Sequence, residues 1–132
     1  MGRGPRSLQD RSPRECLDDH LRLRGEGRLD EDLERNYRED VVMLTPEKVY
    51  HGHDGVREAA GVLYEALQHT DYEITALVTD DRVALLEWGA SGDEMEIADG
   101  VDSFLIEGGL ICVQTIRYTV TFRTLSQAQN VR

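Results

Sequence analysis

The residues best suited to moving a proton are Asp102 and His20. Asp102 stands in the run Val101-Asp102-Ser103-Phe104-Leu105-Ile106, whose alternation puts Asp102, Phe104 and Ile106 on one face of a strand. A carboxyl on an inward apolar face is pushed toward its neutral form, because burial disfavours charge, and so becomes a candidate proton donor or acceptor. His20 lies within the helically spaced stripe Cys16, Leu17, Leu21 and the stem of Arg24. An imidazole there is either a satisfied core residue or a proton carrier. With both side chains turned inward, neither can be charged alone without a large desolvation cost, so the two should share a hydrogen bond. Acid/base work is the expected role of this pair. The plainer reading is a strand Asp that holds shape, satisfied by backbone or by His20.

A small-molecule site needs apolar walls with a few polar tips. Tyr37, Tyr64, Trp88, Phe104, Gln114, Ile116 and Tyr118 are the expected lining, with some of them simply core and Trp88 an alternative interface residue. His51-Gly52-His53 carries two imidazoles, but no cysteine or well-spaced third ligand accompanies them, so no metal is expected. The acidic groups Asp18-Asp19, Asp30-Glu31-Asp32 and Asp80-Asp81 read as caps and turns on a solvated surface. No nucleophile elbow, phosphate-cradling glycine loop or Cys–His nucleophile pair occurs, and no cofactor is implied.

The elements that must position these residues follow from local pattern. Ser12-Pro13-Arg14-Glu15 is a capping box with Pro at the first helical position, so a helix starts at Pro13 and ends at Gly25-Glu26-Gly27. Asp30 should cap a short second helix from which Leu33 and Tyr37 face inward. Residues 41–45 and 49–51 read as a hairpin across Pro46-Glu47-Lys48. A third helix runs over 56–67 on a stripe of Val56, Ala59, Ala60, Leu63 and Leu67. After Asp71 the period changes from 3.6 to 2, giving four strands that turn at Asp80-Asp81, Ser91-Gly92-Asp93 and Gly108-Gly109. Helices followed by an antiparallel meander make an α+β order.

The chain of 132 residues is enough for one domain, expected over 13–124, with a disordered leader over 1–12 that adds nothing to the fold and a frayed tail over 125–132. Net charge is −11, which disfavours nucleic acid and anionic membrane as partners. No apolar run is long enough to span a bilayer. Two distant cysteines inside apolar patterns, Cys16 and Cys112, fit a reducing cytoplasm of bacterial type. The expected location is therefore cytoplasmic.

Several segments together carry a resemblance. They are Gly27-Arg28-Leu29-Asp30 with Tyr37-Arg38-Glu39-Asp40-Val41, then Tyr50-His51-Gly52-His53-Asp54-Gly55-Val56, and finally Val101-Asp102-Ser103-Phe104, Gly108-Gly109-Leu110-Ile111 and Gln114-Thr115-Ile116-Arg117-Tyr118. In order and spacing over 14–121 they resemble the NTF2-like superfamily, and within it the SnoaL-like group that contains polyketide cyclases. The resemblance implies a cone: three N-terminal helices packed on a curved, mostly antiparallel sheet enclosing a pocket. A homodimer through the sheet's outer face is expected as well, because Leu85, Leu105 and Val113 should alternate outward there and one chain cannot cover them.

The superfamily's ketosteroid isomerases offer an active-site template, and that enzyme is a worked example of a carboxylic acid kept neutral by its surroundings. Asp102 falls at the oxyanion-hole Asp position and His20 at that of the Tyr, while Thr45 stands where the base would be. A hydroxyl of ordinary pKa cannot abstract a carbon-bound proton at neutral pH, so that isomerase mechanism is not expected. The family's epoxide hydrolases resemble an Asp-Arg-Asp arrangement; here Gly100 replaces the arginine and Arg117 points to the face opposite Tyr118. Three functions stand after this: binding of a small apolar or polyketide-like ligand, a small-molecule enzyme (cyclase, isomerase or hydrolase) using Asp102 and His20, and a structural dimer with a vestigial pocket.

Overall fold

The computed structural model describes residues 7–123. Helix α1 spans Pro13–Gly25. Ser12 Oγ accepts from the Glu15 amide at 3.1 Å and Glu15 returns a bond to the Ser12 amide at 3.0 Å, closing the expected capping box. Such a cap contributes about 1 kcal/mol. Helix α2 is Leu29–Asn36, with Arg28 rather than Asp30 at its N-cap and Asp30, Glu31 and Asp32 in its first turn. Tyr37 is thus the first residue of strand β1, Tyr37–Leu44, and not part of the helix. Strand β2, Val49–His51, returns antiparallel to β1. Helix α3 covers Gly52–Leu67, starting four residues before the expected Val56, and buries Val56 and Ala59.

The period-2 half of the chain forms β3 (Thr70–Asp80), β4 (Val83–Gly92), β5 (Met95–Glu107) and β6 (Leu110–Arg117), with a short β7 (Thr121–Phe122) paired to β5. The sheet order is β2-β1-β6-β5-β4-β3. All neighbours are antiparallel except β1 and β6, whose parallel pairing joins the hairpin and the meander into one surface. Register shifts at Ile74/Ala76, Trp88/Ala90 and Leu105/Ile106 mark irregularities of the kind that bend strands. The result is a curved, open, mostly antiparallel sheet under three helices. Its concave face and the helices share one core: Leu17, Leu33, Tyr37, Met43, Leu86, Trp88, Ile97, Phe104 and Ile111 are all buried.

The expected inert leader is corrected at its inner end. Arg11 donates to Leu8 O, Asn36 Oδ1, Arg35 O and Gly109 O at 2.8–3.1 Å, so it ties the residues before α1 to the end of α2 and to the β5–β6 turn. Gly109 allows this, because a Cβ there would meet Leu8 O at 2.0 Å, and its φ of +73° also suits glycine. Residues 1–6 and the expected tail over 125–132 lie outside the described residues. Among the described residues no helix is long and apolar enough to cross a membrane.

Candidate functional site

Strand pairing sets the floor of the site. Asp102 lies opposite Leu86 on β4 and Ile116 on β6, Phe104 opposite Gln114, and Trp88 opposite Gly100. Directly paired residues point to the same side of a sheet, so these side chains share the concave face. Asp102 Oδ1 accepts from Trp88 Nε1 at 2.9 Å, and its Oδ2 accepts from Gln114 Nε2 at 3.0 Å. Tyr37 Oη donates to Gln114 Oε1 at 2.5 Å, which turns the amide so that its NH2 must face Asp102. The Arg24 guanidinium acts in turn on the Tyr37 hydroxyl. Burial pushes the Asp102 carboxyl above its ordinary range, against the opposing pull of the Trp88 and Gln114 bonds and the charges of His20 and Arg24.

His20 is buried as expected, with Tyr37 and Phe104 edge-on at 5.7 and 6.1 Å. Its partner is different from the one expected. Nδ1 bonds Asp32 Oδ2 at 2.8 Å, and no hydrogen bond joins His20 to Asp102. Asp32 also receives Arg24 Nε at 2.7 Å and Asn36 Nδ2 at 2.8 Å. Burial by itself would raise the Asp32 carboxyl; the bonds and charges of His20, Arg24 and Asn36 outweigh it and hold the group below its ordinary value. An ionised Asp32 only accepts, so His20 carries its proton on Nδ1. Nε2 has no partner, and among the described residues no completely shut-off side-chain nitrogen or oxygen lacks one, so Nε2 keeps access to open space. His20 and Asp102 are therefore each held by their own partners, Asp32 for the one and Trp88 and Gln114 for the other.

Asp32 is the residue that sequence reasoning missed. It was expected on a solvated acidic surface, yet it is fully buried. Its signal was present: Leu29, Asp32, Leu33 and Asn36 follow helical spacing on one face, and that face packs inward. Asp19, from another acidic pair, is likewise a hub. It accepts from Arg35, Arg22 and Asn36, which overcome burial and hold its carboxyl well below the usual range. Gly100 also has a role: a Cβ there would stand 2.3 Å from the Trp88 indole. The position that an arginine-bearing template would fill is the one that gives Trp88 its room.

A cleft of about 340 Å³ opens between α3 and the sheet. Thr45, Pro46 and Glu47 from the β1–β2 turn, Tyr50, Ala59, Val62 and Leu63, and Ile116, Tyr118 and Val120 line it. Of the expected pocket residues, Ile116 and Tyr118 are here. Ile116 is the register partner of Asp102, and the Tyr118 ring sits 5.5 Å from that of Trp88. Tyr37, Trp88, Phe104 and Gln114 are buried core beneath. Tyr64 is 70% exposed on α3 and takes no part in this cleft, since its helical position turns it outward. Thr45 spends its hydroxyl on the turn, donating to Lys48 O and accepting from Lys48 N, both at 3.0 Å. His53 Nε2 bonds the Tyr37 carbonyl at 2.9 Å, and among the described residues no three metal-ligating side chains converge. Burial pushes the Cys16 thiol up to about 12, so it is no nucleophile.

Known proteins place this architecture. The chain is similar in structure to an NTF-2 like protein of unknown function from Burkholderia xenovorans LB400, at TM-score 0.67 and 16% identity over 90% of this chain and 92% of that one. It is also similar to a candidate polyketide cyclase from Sinorhizobium meliloti, at TM-score 0.64 and 18% identity over 77% and 93% of the two chains. A steroid delta-isomerase from Pseudomonas aeruginosa aligns at TM-score 0.65 and 22% identity over 97% and 88%. At such identities the likeness concerns the fold. No curated protein matches the sequence. The SnoaL-like domain profile matches residues 17–114, from Leu17 in α1's buried stripe to the glutamine that bonds Asp102, and the chain belongs to the SnoaL-like family.

Proposed function

We propose that this protein binds a small, largely apolar, polyketide-like molecule against the concave face of its sheet, beside Asp102. The observation that carries the reading is the Asp102 carboxyl itself. It is buried without a counter-ion in contact, held by two neutral donors, and its register partner Ile116 lines an open cleft. Each of its oxygens accepts one bond from the protein and retains capacity for a ligand hydroxyl or carbonyl, depending on its protonation. Relatives named polyketide cyclase and steroid isomerase support a small-molecule ligand. Self-association through the outer face of the sheet and a cytoplasmic setting belong to the same reading. The test is mass spectrometry of small molecules retained by the protein through purification. A ligand retained by the native chain and lost from Asp102→Asn supports the proposal; equal retention by both refutes it.

A second reading, an enzyme using Asp102 and His20 as acid and base, is favoured by one observation. His20 is protonated on Nδ1 by its bond to Asp32, leaving Nε2 as the proton-accepting nitrogen with access to open space. In this reading Asp32 orients the imidazole and stabilises its charged form. Once a ligand is identified, its conversion by the native chain and not by His20→Gln, with retention unchanged, distinguishes catalysis from binding.

A further inference from the structure

We infer that the cleft between α3 and the β1–β2 turn selects an organic ammonium carried on an apolar body, with Glu47 as the residue that reads its charge. This deepens the proposed small-molecule function by naming a ligand class, and rests on the cleft being a ligand site.

Three observations carry it. Glu47 is the one carboxylate among the lining residues, and no lysine, arginine or histidine lines the cleft. Among the described residues no hydrogen bond or ion pair engages Glu47, whereas the adjacent Lys48 is spent on Glu58 at 2.9 Å and on the face of Tyr50, 5.1 Å from the ring centroid. The remaining wall is apolar or aromatic: Leu63, Val62, Ile116 and Val120 would take the body, and Tyr118 adds an electron-rich ring to the same lining. The volume of about 340 Å³ falls at the small end of the roughly 300–1,000 Å³ of ligand sites, which limits the body to a single ring or short chain. The whole chain's charge of −11 concentrates cations around it and repels anions. An anionic ligand would therefore enter against both the local and the overall field. A neutral one would leave Glu47 unused.

The carboxylate is exposed, so its charge preference is modest. A pair of that kind is worth up to about fivefold in affinity at low salt. The experiment is calorimetric titration of the full chain with three probes of one shape: 2-phenylethylammonium, 2-phenylethanol and phenylacetate. The expected order is ammonium, alcohol, carboxylate, with the ammonium advantage about fivefold and shrinking as salt is raised. Glu47→Gln should bring ammonium and alcohol level without weakening the alcohol. Val62→Trp, at a half-exposed rim position that a larger ring can occlude, should weaken all three. Asp102→Asn, in the floor that the proposed function places against the ligand, should weaken ammonium and alcohol alike and leave the ratio between them unchanged. Equal binding of ammonium and alcohol by the native chain overturns the inference while leaving the cleft a ligand site. An advantage that survives Glu47→Gln and vanishes in Asp102→Asn also overturns it, and assigns the charge recognition to the sheet floor instead. Binding of none of the probes overturns it outright.

Discussion

The Trp88 indole reaches the Asp102 carboxylate, at 2.9 Å, by passing over Gly100, its register partner on β5. Trp88 is diagonal to Asp102 in the β4–β5 ladder, a neighbour within reach of a long aromatic side chain only if the intervening position is empty. Glycine supplies that emptiness. Tyr72 and Tyr118 then sit on either flank of the indole, with centroids at 5.4 and 5.5 Å. Floor, donor and aromatic wall thus depend on one missing Cβ.

Gly100→Ala should accordingly be among the most damaging single-methyl changes in the chain. The new Cβ would stand 2.3 Å from indole carbons, too close for any relaxed packing. The indole must move, losing its bond to Asp102, at a cost of about 1–3 kcal/mol for overpacking. Trp88 is the sole tryptophan, so its fluorescence reports the displacement directly. A lowered urea midpoint together with a shifted emission maximum is the expected result. A native spectrum and midpoint would show that the ladder yields at this point.

Asp102 responds to substitution in a way the sequence alone would misjudge. With His20 as its expected partner, an apolar replacement looks harmless to stability. Its actual partners are the donors Trp88 and Gln114, both buried, and Asp102→Leu strands them at about 1–3 kcal/mol each. Asp102→Asn keeps one acceptor and removes the charge. Because the folded carboxyl is raised, its stabilising contribution is full below the unfolded value of about 3.9 and is lost as pH rises through the folded value. The stability of Asp102→Asn relative to the native chain should therefore improve from pH 3 to pH 7. Parallel pH profiles for the two proteins would contradict a raised Asp102.

Much of the fold was legible because it rests on local rules. The capping box at Ser12 and the switch to period 2 after Asp71 each express themselves within a few residues. The face that Asp102 shares with Phe104 and Ile106 followed from alternation, and all three are buried. What stayed hidden depends on which distant elements meet. The bond between His20 and Asp32 requires α1 to pack on α2, and the approach of Arg11 to Gly109 spans the length of the chain. Asp32 looked like a solvated cap because acidic residues in a first turn usually are. Its burial is set by the helix face, which the neighbouring Leu33 shares.

The Asp32 cluster yields a prediction about acid stability. Asp32 is fully buried and holds His20, Arg24 and Asn36 together. Asp32→Ala leaves a part-buried guanidinium and a buried imidazole without their anion, a change that costs roughly 3 kcal/mol, the low end for a broken buried pair. The folded carboxyls of Asp32 and Asp19 are both lowered, so their contribution is present above the unfolded value of about 3.9 and is lost as pH falls through the folded values. Unfolding of the native chain should steepen below pH 4, and Asp32→Ala should flatten that limb. A variant within 1 kcal/mol of the native chain by urea titration, that is within about fivefold in the folding equilibrium, would mean the cluster is not structural.

The outer face of the sheet gives the last expectation, that of self-association. Its cross-strand rows run Val42–Val113–Leu105–Val83 and Leu44–Thr115–Ser103–Leu85–Val78. Leu44, Val78, Val83 and Leu85 are each at least 39% exposed. No helix among the described residues covers this side, since α1, α2 and α3 pack on the concave one. Apolar side chains exposed in this number are costly to leave in water, and a second copy of the same face, related by a two-fold axis, is the expected cover. Sedimentation at micromolar concentration should give twice the chain mass. Leu85→Glu with Leu105→Glu would put four carboxylates into that interface in the dimer and should give a folded monomer, its circular dichroism unchanged. A native chain that sediments as a monomer would refute the expectation, as would a dimer that tolerates both charges.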